Sequence, residues 1–432
     1  MYYGWIIVGI TALALIATAG VRAASGVLIT PLEDDFQWSR GSISLGISIA
    51  LLLYGLAGPL SGALMDRFGP RNVMLGGLVV TVASTLTTAA MQALWQFNLV
   101  WGLIGGLGTG TAASVLGATV ASRWFVRRRG LVMGVFGASA SAGQLIFFPL
   151  LIWVVDVAGW RASLVMLALI VAALLLPVLL LMRDTPADLG LRPLGGTDEP
   201  TAKQMAAAGI TAAQRPGTMQ VMRGAVRVPE FWLLAGSFFV CGATSVGVIG
   251  THLLPHSTDN GISKGTVAIV LAVMGAMNFV GTVASGALTD RYDPRKLLAV
   301  YYVFRGLSLL ALPLIDTTLG LLVFATFFGL DYIATVPPTV AMTADIFGRR
   351  NIGTVYGWVF AAHQLGAAMA AWMGGVARDA LGTYTLTFIG AGALAIVGGV
   401  MALRIDRDRR VGAADAPLAA PQPVPRPAGA GG

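Results

Sequence analysis

Long apolar runs, separated by short polar segments, extend along most of the chain. A helix needs roughly 20 consecutive apolar residues to cross a bilayer, and the alternating pattern of a membrane β-barrel is absent. The pattern predicts an all-α membrane protein with twelve transmembrane helices. Six are expected near residues 5–30, 43–65, 73–91, 97–121, 131–155 and 161–182. The other six are expected near residues 230–254, 265–289, 297–315, 319–345, 353–377 and 384–404.

A short charged segment after the second run occurs twice in the chain. Residues 62–71 read GALMDRFGPR, and residues 286–295 read GALTDRYDPR, a displacement of 224 residues from Gly62 to Gly286. The same displacement relates Ser39 to Ser263. The chain therefore contains two copies of one unit. Because each copy has an even number of helices, the copies are predicted to be parallel repeats.

The polar segments complete the predicted domain organisation. We expect a six-helix bundle over 1–182, a cytoplasmic linker over 183–228, a second six-helix bundle over 229–405 and a tail over 406–432. The linker is rich in Ala, Gly and Pro, which are typical of loops. The tail is nearly all Ala, Pro and Gly, so it cannot bury enough apolar surface to fold and is predicted to be disordered.

Composition agrees with a membrane protein. Charged residues make up 11% of the chain and mean hydropathy is +0.78, whereas soluble domains carry about 25% charge. All but six of the 28 Lys and Arg residues lie on loops on the side of residues 62–71, in the linker or in the tail. The positive-inside rule makes that side and both termini cytoplasmic, in a plasma (inner) membrane. The net charge of +8 thus indicates topology, not a nucleic-acid partner.

Several other functions find no support in the sequence. The single cysteine, Cys241, allows no intrachain disulfide. The glycine-rich stretches lack the Gly-Lys-Ser/Thr ending of a phosphate loop, and no metal-ligand spacing is visible. We therefore expect neither an enzyme nor a cofactor.

The repeated charged segments resemble the loop signature of the major facilitator superfamily. Residues 124–131, WFVRRRGL, are similar to the helix 4–5 signature of its monocarboxylate and oxalate/formate transporters, and the start at Tyr3-Gly4-Trp5 also resembles that branch. The resemblance implies two six-helix bundles around a central cavity that opens alternately to each side. It also implies that helices 1, 4, 7 and 10 line the path, with contributions from helices 2, 5, 8 and 11.

The charged residues of the repeated segments are candidates for gating. Acidic and basic side chains at helix ends can bond neighbouring helix termini and form charge pairs that stabilise one conformation. The alternative is a solvated turn whose arginines serve topology alone, which explains one copy better than two. The predicted gating residues are Asp66, Arg67, Arg71, Asp290, Arg291 and Arg295.

Arg22 lies deep in the first predicted helix. An arginine near the membrane midplane costs about 2.5–3.5 kcal/mol on insertion scales, so it should face a wet cavity or a partner. Its planar fork suits a carboxylate. We interpret Arg22 as the anchor of an anionic substrate. The alternatives are a pair with another helix or a side chain that reaches the outer surface.

Asp331, in the tenth predicted helix, is a carboxylate at mid-depth. Burial would raise its pKa and a nearby arginine would lower it, which is the tuning that a proton-coupling group requires. Asp331 is therefore our proton-coupling candidate. The alternative is a structural ion pair with Arg305, the other arginine inside a helix.

Four further residues are candidates for substrate contact. His252 and His363 can titrate near physiological pH. By resemblance, His363 falls where a helix 11 lysine binds substrate in the oxalate/formate branch. Asn278 and Tyr332 lie in helices expected to line the cavity. For both histidines the alternative is a hydrogen-bonded structural role.

The sequence departs in helix 8 from the monocarboxylate carriers that it resembles. Monocarboxylate carriers often have an arginine there, at the position that Thr282 occupies here. The leading hypothesis is nevertheless a secondary transporter of a small organic anion, a monocarboxylate by resemblance, acting as a monomer in the lipid bilayer. Coupling is by proton symport or by anion exchange. The alternative is a transporter of an uncharged or amphipathic solute, including efflux.

Overall fold

A computed structural model of the protein describes residues 2–111, 114–126, 128–195, 218–348, 351–406 and 409. These residues are almost entirely helical and form no strand apart from an isolated bridge between Phe125 and Leu194. Ten of their helical segments are long and apolar enough to cross a membrane. One of the ten, Leu131–Leu181, is divided at Gly159, and Ile352–Leu381 is a further helix of 30 residues. The described residues therefore contain twelve long helices, α1 to α12.

The first six helices form the N-terminal half. They are α1 (Gly4–Phe36), α2 and α3 (Arg40–Ala89, divided at Gly69), α4 (Leu94–Gln96, Phe97–Gly105, Gly106–Thr111 and Ser114–Trp124), and α5 and α6 (Arg129–Ala173, divided at Gly159, with α6 continued by Leu175–Leu181). The two divisions fall at glycines with φ of 81°, a backbone conformation that side chains with a Cβ rarely adopt.

The last six helices form the C-terminal half. They are α7 (Pro229–Asp259), α8 (Lys264–Thr289), α9 (Pro294–Ala311), α10 (Thr318–Asp331 and Val336–Phe347), α11 (Ile352–Leu381) and α12 (Thr385–Leu403). The predicted all-helical membrane fold is confirmed. The main differences from the predicted spans are small extensions, such as that of α1 from residue 30 to Phe36.

The sequence repeat is also visible in how helices begin. Ser39 precedes α2 and its side chain accepts a hydrogen bond from the backbone N–H of Ser42. The equivalent Ser263 precedes α8 and accepts from the N–H of Thr266. An N-cap of this kind stabilises a helix by about 0.5–2 kcal/mol relative to alanine. The two copies therefore share a local structure as well as a sequence pattern.

Consecutive helices place the loops on two sides of the molecule. We call the linker side the one that holds residues 62–71, residues 286–295 and the segment between α6 and α7. The distal side holds the α1–α2, α7–α8 and α11–α12 loops. Within the predicted linker, Pro186–Leu189 and Thr218–Ala225 are short helices. Residues 196–217 and 410–432 lie outside the described residues, so the predicted disorder of the tail stays a prediction.

Candidate functional site

The two halves contact each other from the distal side to about mid-depth. Ser48 of α2 donates to the carbonyl oxygen of Ala368 in α11 at 2.7 Å. Deeper in the same pair of helices, the rings of Tyr54 and Phe360 lie 6.2 Å apart. An added Cβ at Gly26 would collide with the carbonyl oxygen of Gly250, so α1 and α7 pack backbone to backbone.

The contacts between the halves that the described residues make lie on the distal side and at mid-depth. Between described residues, no hydrogen bond or ion pair joins the halves on the linker side of the Tyr54–Phe360 contact. Ser114–Trp124 of α4 and Val336–Phe347 of α10 pack mainly within their own halves. Among the described residues, the hydrogen bonds and ion pairs that join the halves therefore lie between the distal side and mid-depth.

A cluster of charged residues, the distal cluster, joins the halves at the distal end. Arg40, at the start of α2, is only 5% exposed. Its Nη1 and Nη2 donate to the two carboxylate oxygens of Asp259 at 2.6 and 2.8 Å, and its Nε donates to Glu33 at 2.8 Å. Arg378 of α11 also donates to Asp259, at 3.0 Å. Bidentate, charge-assisted pairs of this kind are among the stronger hydrogen bonds in proteins.

The distal cluster also caps α2 from the opposite half. Asp379, near the end of α11, accepts from the backbone N–H of Arg40 at 3.0 Å and from that of Gly41 at 2.7 Å. Tyr384 accepts from Arg40 at 3.3 Å. Burial raises the pKa of Tyr384 to about 12, with Arg40 opposing the rise, so this phenol stays neutral at physiological pH. In the sequence, Arg40 is only one of the six Lys and Arg residues that lie away from the linker side, the linker and the tail.

Arg22 lies near the middle of α1, at the depth where the contacts between the halves end. Its guanidinium carbon lies 4.7 Å from the ring centre of Tyr54. Its Nε is buried and has no hydrogen-bond partner. No carboxylate of the described residues lies within 4.0 Å of the Arg22 guanidinium. The described residues therefore do not provide the ion pair with another helix that was one alternative for Arg22 in the sequence.

Tyr332 of α10 approaches Arg22 from the C-terminal half. It is 3% exposed and lies close enough to Arg22 of α1 and Gln144 of α5 to interact electrostatically with both. Asn278 of α8 is also at the contact between the halves, where its Nδ2 donates to Ser141 of α5 at 3.3 Å. Both predicted contact residues thus lie where the two halves meet.

The two candidate histidines lie in different surroundings. His363 stacks on Phe360 with ring centres 5.8 Å apart, and its buried Nδ1 has no hydrogen-bond partner. His252 instead packs near the distal side, with Nε2 2.8 Å from the carbonyl oxygen of Ala371 and its ring 5.0 Å from Tyr384. The His363 ring thus packs between Phe360 of its own helix and Phe238 of α7, whose ring centre lies 4.7 Å away, whereas His252 belongs to the packing of α7 against α11 and α12.

Asp331 forms an ion pair with Arg305 at 2.6 Å, and both side chains are almost fully buried. Arg305 also donates to the backbone carbonyl of Asp331 at 2.7 Å and to Sγ of Cys241 at 3.1 Å. The structural ion pair between Asp331 and Arg305, which was the alternative to proton coupling, is therefore present. It joins α7, α9 and α10 within the C-terminal half.

This ion pair supports a break in α10. The helix stops at Asp331 and resumes at Val336, and the two prolines that follow, Pro337 and Pro338, have no N–H to offer to the preceding turn. Arg305 and Ser285 satisfy carbonyl oxygens of this break, the latter by donating to Ala334 at 2.6 Å. Tyr332 lies within the break, so its position depends on these contacts.

The predicted gating residues form contacts within their own halves. The backbone N–H of Arg71 donates to Asp184 at 2.8 Å, and Arg295 pairs with Asp293 at 2.9 Å. Arg67, Asp290 and Arg291 are exposed. The side chain of Asp66 lies outside the described residues. A gating role for this group stays a prediction.

The fold defines a solute transporter of the membrane, built from two parallel helical repeats around a central space. The chain matches the sequence profile of the Major Facilitator Superfamily over residues 10–329 and 241–428 and belongs to that superfamily. It is accordingly a transporter and not an enzyme.

Relatives of the chain include proteins named as carboxylate carriers. It is 27% identical to the uncharacterized MFS-type transporter YcxA of Bacillus subtilis (strain 168), covering 88% of this chain and 90% of that protein. It is 25% identical to monocarboxylate transporter 12-B of Danio rerio, covering 90% and 84%, and 27% identical to monocarboxylate transporter 13 of Bos taurus, covering 92% and 88%.

Solved structures share the fold at low sequence identity. A bacterial homologue of the human lysosomal transporter Spinster, in an inward-facing and unoccupied conformation, has a TM-score of 0.76 at 14% identity, covering 94% of this chain and 97% of that one. A D-xylose-proton symporter has a TM-score of 0.72 at 15% identity, covering 93% and 98%.

Proposed function

We propose that this transporter carries a small organic anion, of the monocarboxylate class, by alternating access. The observation that supports this most is Arg22, a cation near the middle of α1 with no carboxylate partner among the described residues. A buried arginine that lacks a partner is costly, so a bound carboxylate would offset a cost that the protein alone leaves uncompensated. The names of the monocarboxylate transporter relatives point to the same substrate class.

The proposed site spans both halves. Arg22 anchors the carboxylate from α1, while Tyr332, Asn278 and His363 contact the substrate from α10, α8 and α11. We leave His252 out of this site because its ring nitrogen bonds a helix carbonyl near the distal side. We also assign Asp331 to the scaffold, since its ion pair with Arg305 fixes the break in α10.

Transport in this proposal alternates between two closures. In the present conformation the distal cluster holds the distal side closed. In the other conformation the charged residues of the linker side hold the linker side closed. These residues are Asp66, Arg67, Arg71, Asp290, Arg291 and Arg295. We assign the linker side and both termini to the cytoplasm because basic residues concentrate there, and we assign the protein to the plasma (inner) membrane. The monomer is the working unit, and either proton symport or anion exchange supplies the energy.

The test is uptake and binding with purified protein. Proteoliposomes are assayed with pyruvate, L-lactate, acetate, benzoate and glucose, and binding is followed as ligand-induced thermal stabilisation in detergent. We expect the parent to transport a monocarboxylate. Arg22→Gln should abolish both binding and uptake. Arg22→Lys should retain a small part of the binding and of the uptake, because the lysine ammonium lacks the planar fork of arginine. Imposed pH gradients and internal anions then separate symport from exchange.

A matched control is Arg161→Gln, which removes an arginine that is half exposed on the distal side. It should leave carboxylate uptake unchanged. If glucose is transported equally by the parent and by Arg22→Gln while no carboxylate is, the proposed substrate class is wrong and Arg22 has a structural role.

A further inference from the structure

A small cavity lies beside Arg22, inside the N-terminal half. Helices α1, α2, α3 and α4 enclose it, and its lining includes Arg22, Tyr54, Ser84, Thr85, Trp101 and Thr109. The volume open to water-sized groups is about 30 Å³. A single water needs roughly 10–15 Å³ measured in this way, so the cavity has room for about two such groups.

Three lining side chains carry a buried polar atom without a hydrogen-bond partner. These atoms are Nε of Arg22, Oγ1 of Thr85 and Nε1 of Trp101. Thr85 is 1% exposed and Trp101 is 4% exposed, so bulk water does not reach them freely. Three unpaired buried polar atoms around one cavity indicate that a water molecule or a ligand group occupies it in the working protein.

The chemistry of these atoms selects an anion. Guanidinium and indole N–H groups only donate hydrogen bonds, and a threonine hydroxyl can donate as well. Two further hydroxyls of the lining are already engaged as donors, Ser84 to Thr81 at 3.0 Å and Thr109 to Gly105 at 2.9 Å. The hydroxyls of Ser25 and Tyr54, which can donate as well, complete the lining. No carboxylate side chain lines the cavity. A group with two acceptor oxygens and a negative charge fits both the donors and the volume.

We propose that the carboxylate head of the substrate occupies this cavity, bound by the donors of Thr85 and Trp101 together with Arg22. This inference rests on the proposed function and adds two binding residues from α3 and α4. The carboxylate meets the guanidinium side-on, at Nε, and the remainder of the substrate extends past Tyr54 into the space between the halves. The cavity restricts the head group to a small planar anion, while the open space toward Tyr332 allows the tail to vary.

The test removes one donor at a time and keeps the shape of each side chain. Thr85→Val and Trp101→Phe are titrated with pyruvate, L-lactate and benzoate by ligand-induced thermal stabilisation, beside the parent and Arg22→Gln. A hydrogen bond to a charged group contributes enough that each variant should raise the Kd roughly 10- to 100-fold. Trp124→Phe is the matched control, because Trp124 also has a buried, unpaired Nε1 but does not line the cavity. Its Kd should equal that of the parent.

Thr85→Ser provides a second variant that keeps the hydroxyl and should bind as the parent does. If Trp101→Phe fails to fold, the difference between Thr85→Val and Thr85→Ser decides the matter. If Arg22→Gln abolishes carboxylate binding while Thr85→Val and Trp101→Phe bind normally, the cavity holds water; our inference is then wrong and the proposed function stands. If chloride alone stabilises the parent and Trp101→Phe removes only that effect, the cavity holds a small inorganic anion, which also overturns the inference. If no carboxylate stabilises the parent, the proposed function and the inference both fail.

Discussion

Replacing Arg40 should shift the transporter away from the distally closed conformation. Arg40→Met keeps the length of the side chain but removes both hydrogen bonds to Asp259 across the halves. The bond to Glu33 lies within the N-terminal half and does not contribute to closure. The backbone bonds of Arg40 and Gly41 to Asp379 remain available. The substitution therefore removes the bidentate ion pair together with the longer bond from Arg40 to Tyr384 at 3.3 Å, and leaves the backbone contacts in place.

The size of the effect follows from the surroundings of the pair. Each hydrogen bond to a charged group contributes about 1.5–3 kcal/mol, but Asp259 is 25% exposed and keeps its bond to Arg378. Solvent screening and the remaining partner reduce the loss to about 2 kcal/mol. A difference of that size changes the ratio of closed to open protein roughly 30-fold.

The assay is a distance measurement between spin labels on the distal side. Asp34 and Lys264 are exposed and lie in different halves, and Cys241 is buried, so labels at Asp34→Cys and Lys264→Cys can be introduced specifically. We expect one short distance in the parent and a second, longer distance in Arg40→Met. Arg161→Met is the control, because its ion pair with Asp35 lies within one half and is about half exposed. An unchanged distance distribution in Arg40→Met would refute a role of the distal cluster in closure.

Two further predictions concern packing. Arg305→Gln should lower the free energy of unfolding by about 3–5 kcal/mol, because it leaves Asp331 buried without its cation; a thermal-unfolding temperature equal to that of the parent would contradict this. Gly26→Val should favour the distally open conformation, because the added side chain would collide with the carbonyl oxygen of Gly250. The distance assay described above measures it, and Gly9→Val in the same helix is the control, since an added Cβ at Gly9 meets nothing within 4 Å.

Most of the fold was predictable because each span depends on local composition. The apolar runs located the helices, and the repeat of residues 62–71 revealed the two copies. Arg22 was also predictable, since an arginine inside an apolar run is costly wherever its neighbours lie. The two residues proposed to bind the carboxylate with Arg22, Thr85 and Trp101, could not be predicted, because threonine and tryptophan are ordinary residues in membrane helices. Only their unpaired atoms in a shared cavity distinguish them.

The distal cluster could not be predicted for a different reason. Arg40 bonds Asp259 and Asp379, which are 219 and 339 residues away in the sequence. From the sequence alone, charged loop residues of this kind indicate only membrane topology. Their pairing becomes visible only in the folded structure, where the two halves pack together. The pair of Arg305 and Asp331 was easier to predict from the sequence, because both are ionisable residues inside apolar runs and each requires a partner.

The capping of α2 by Asp379 makes the hydrogen exchange of the first amides of this helix depend on the conformation of the transporter. The N–H of Ser42 bonds Ser39 of the same half, whereas the N–H groups of Arg40 and Gly41 depend on a carboxylate from the other half. When the distal side opens, these two amides lose their acceptor and become available to solvent deuterium. Their exchange rate, measured against that of Ser42, would report the fraction of time that the transporter spends distally closed, without any label or substitution.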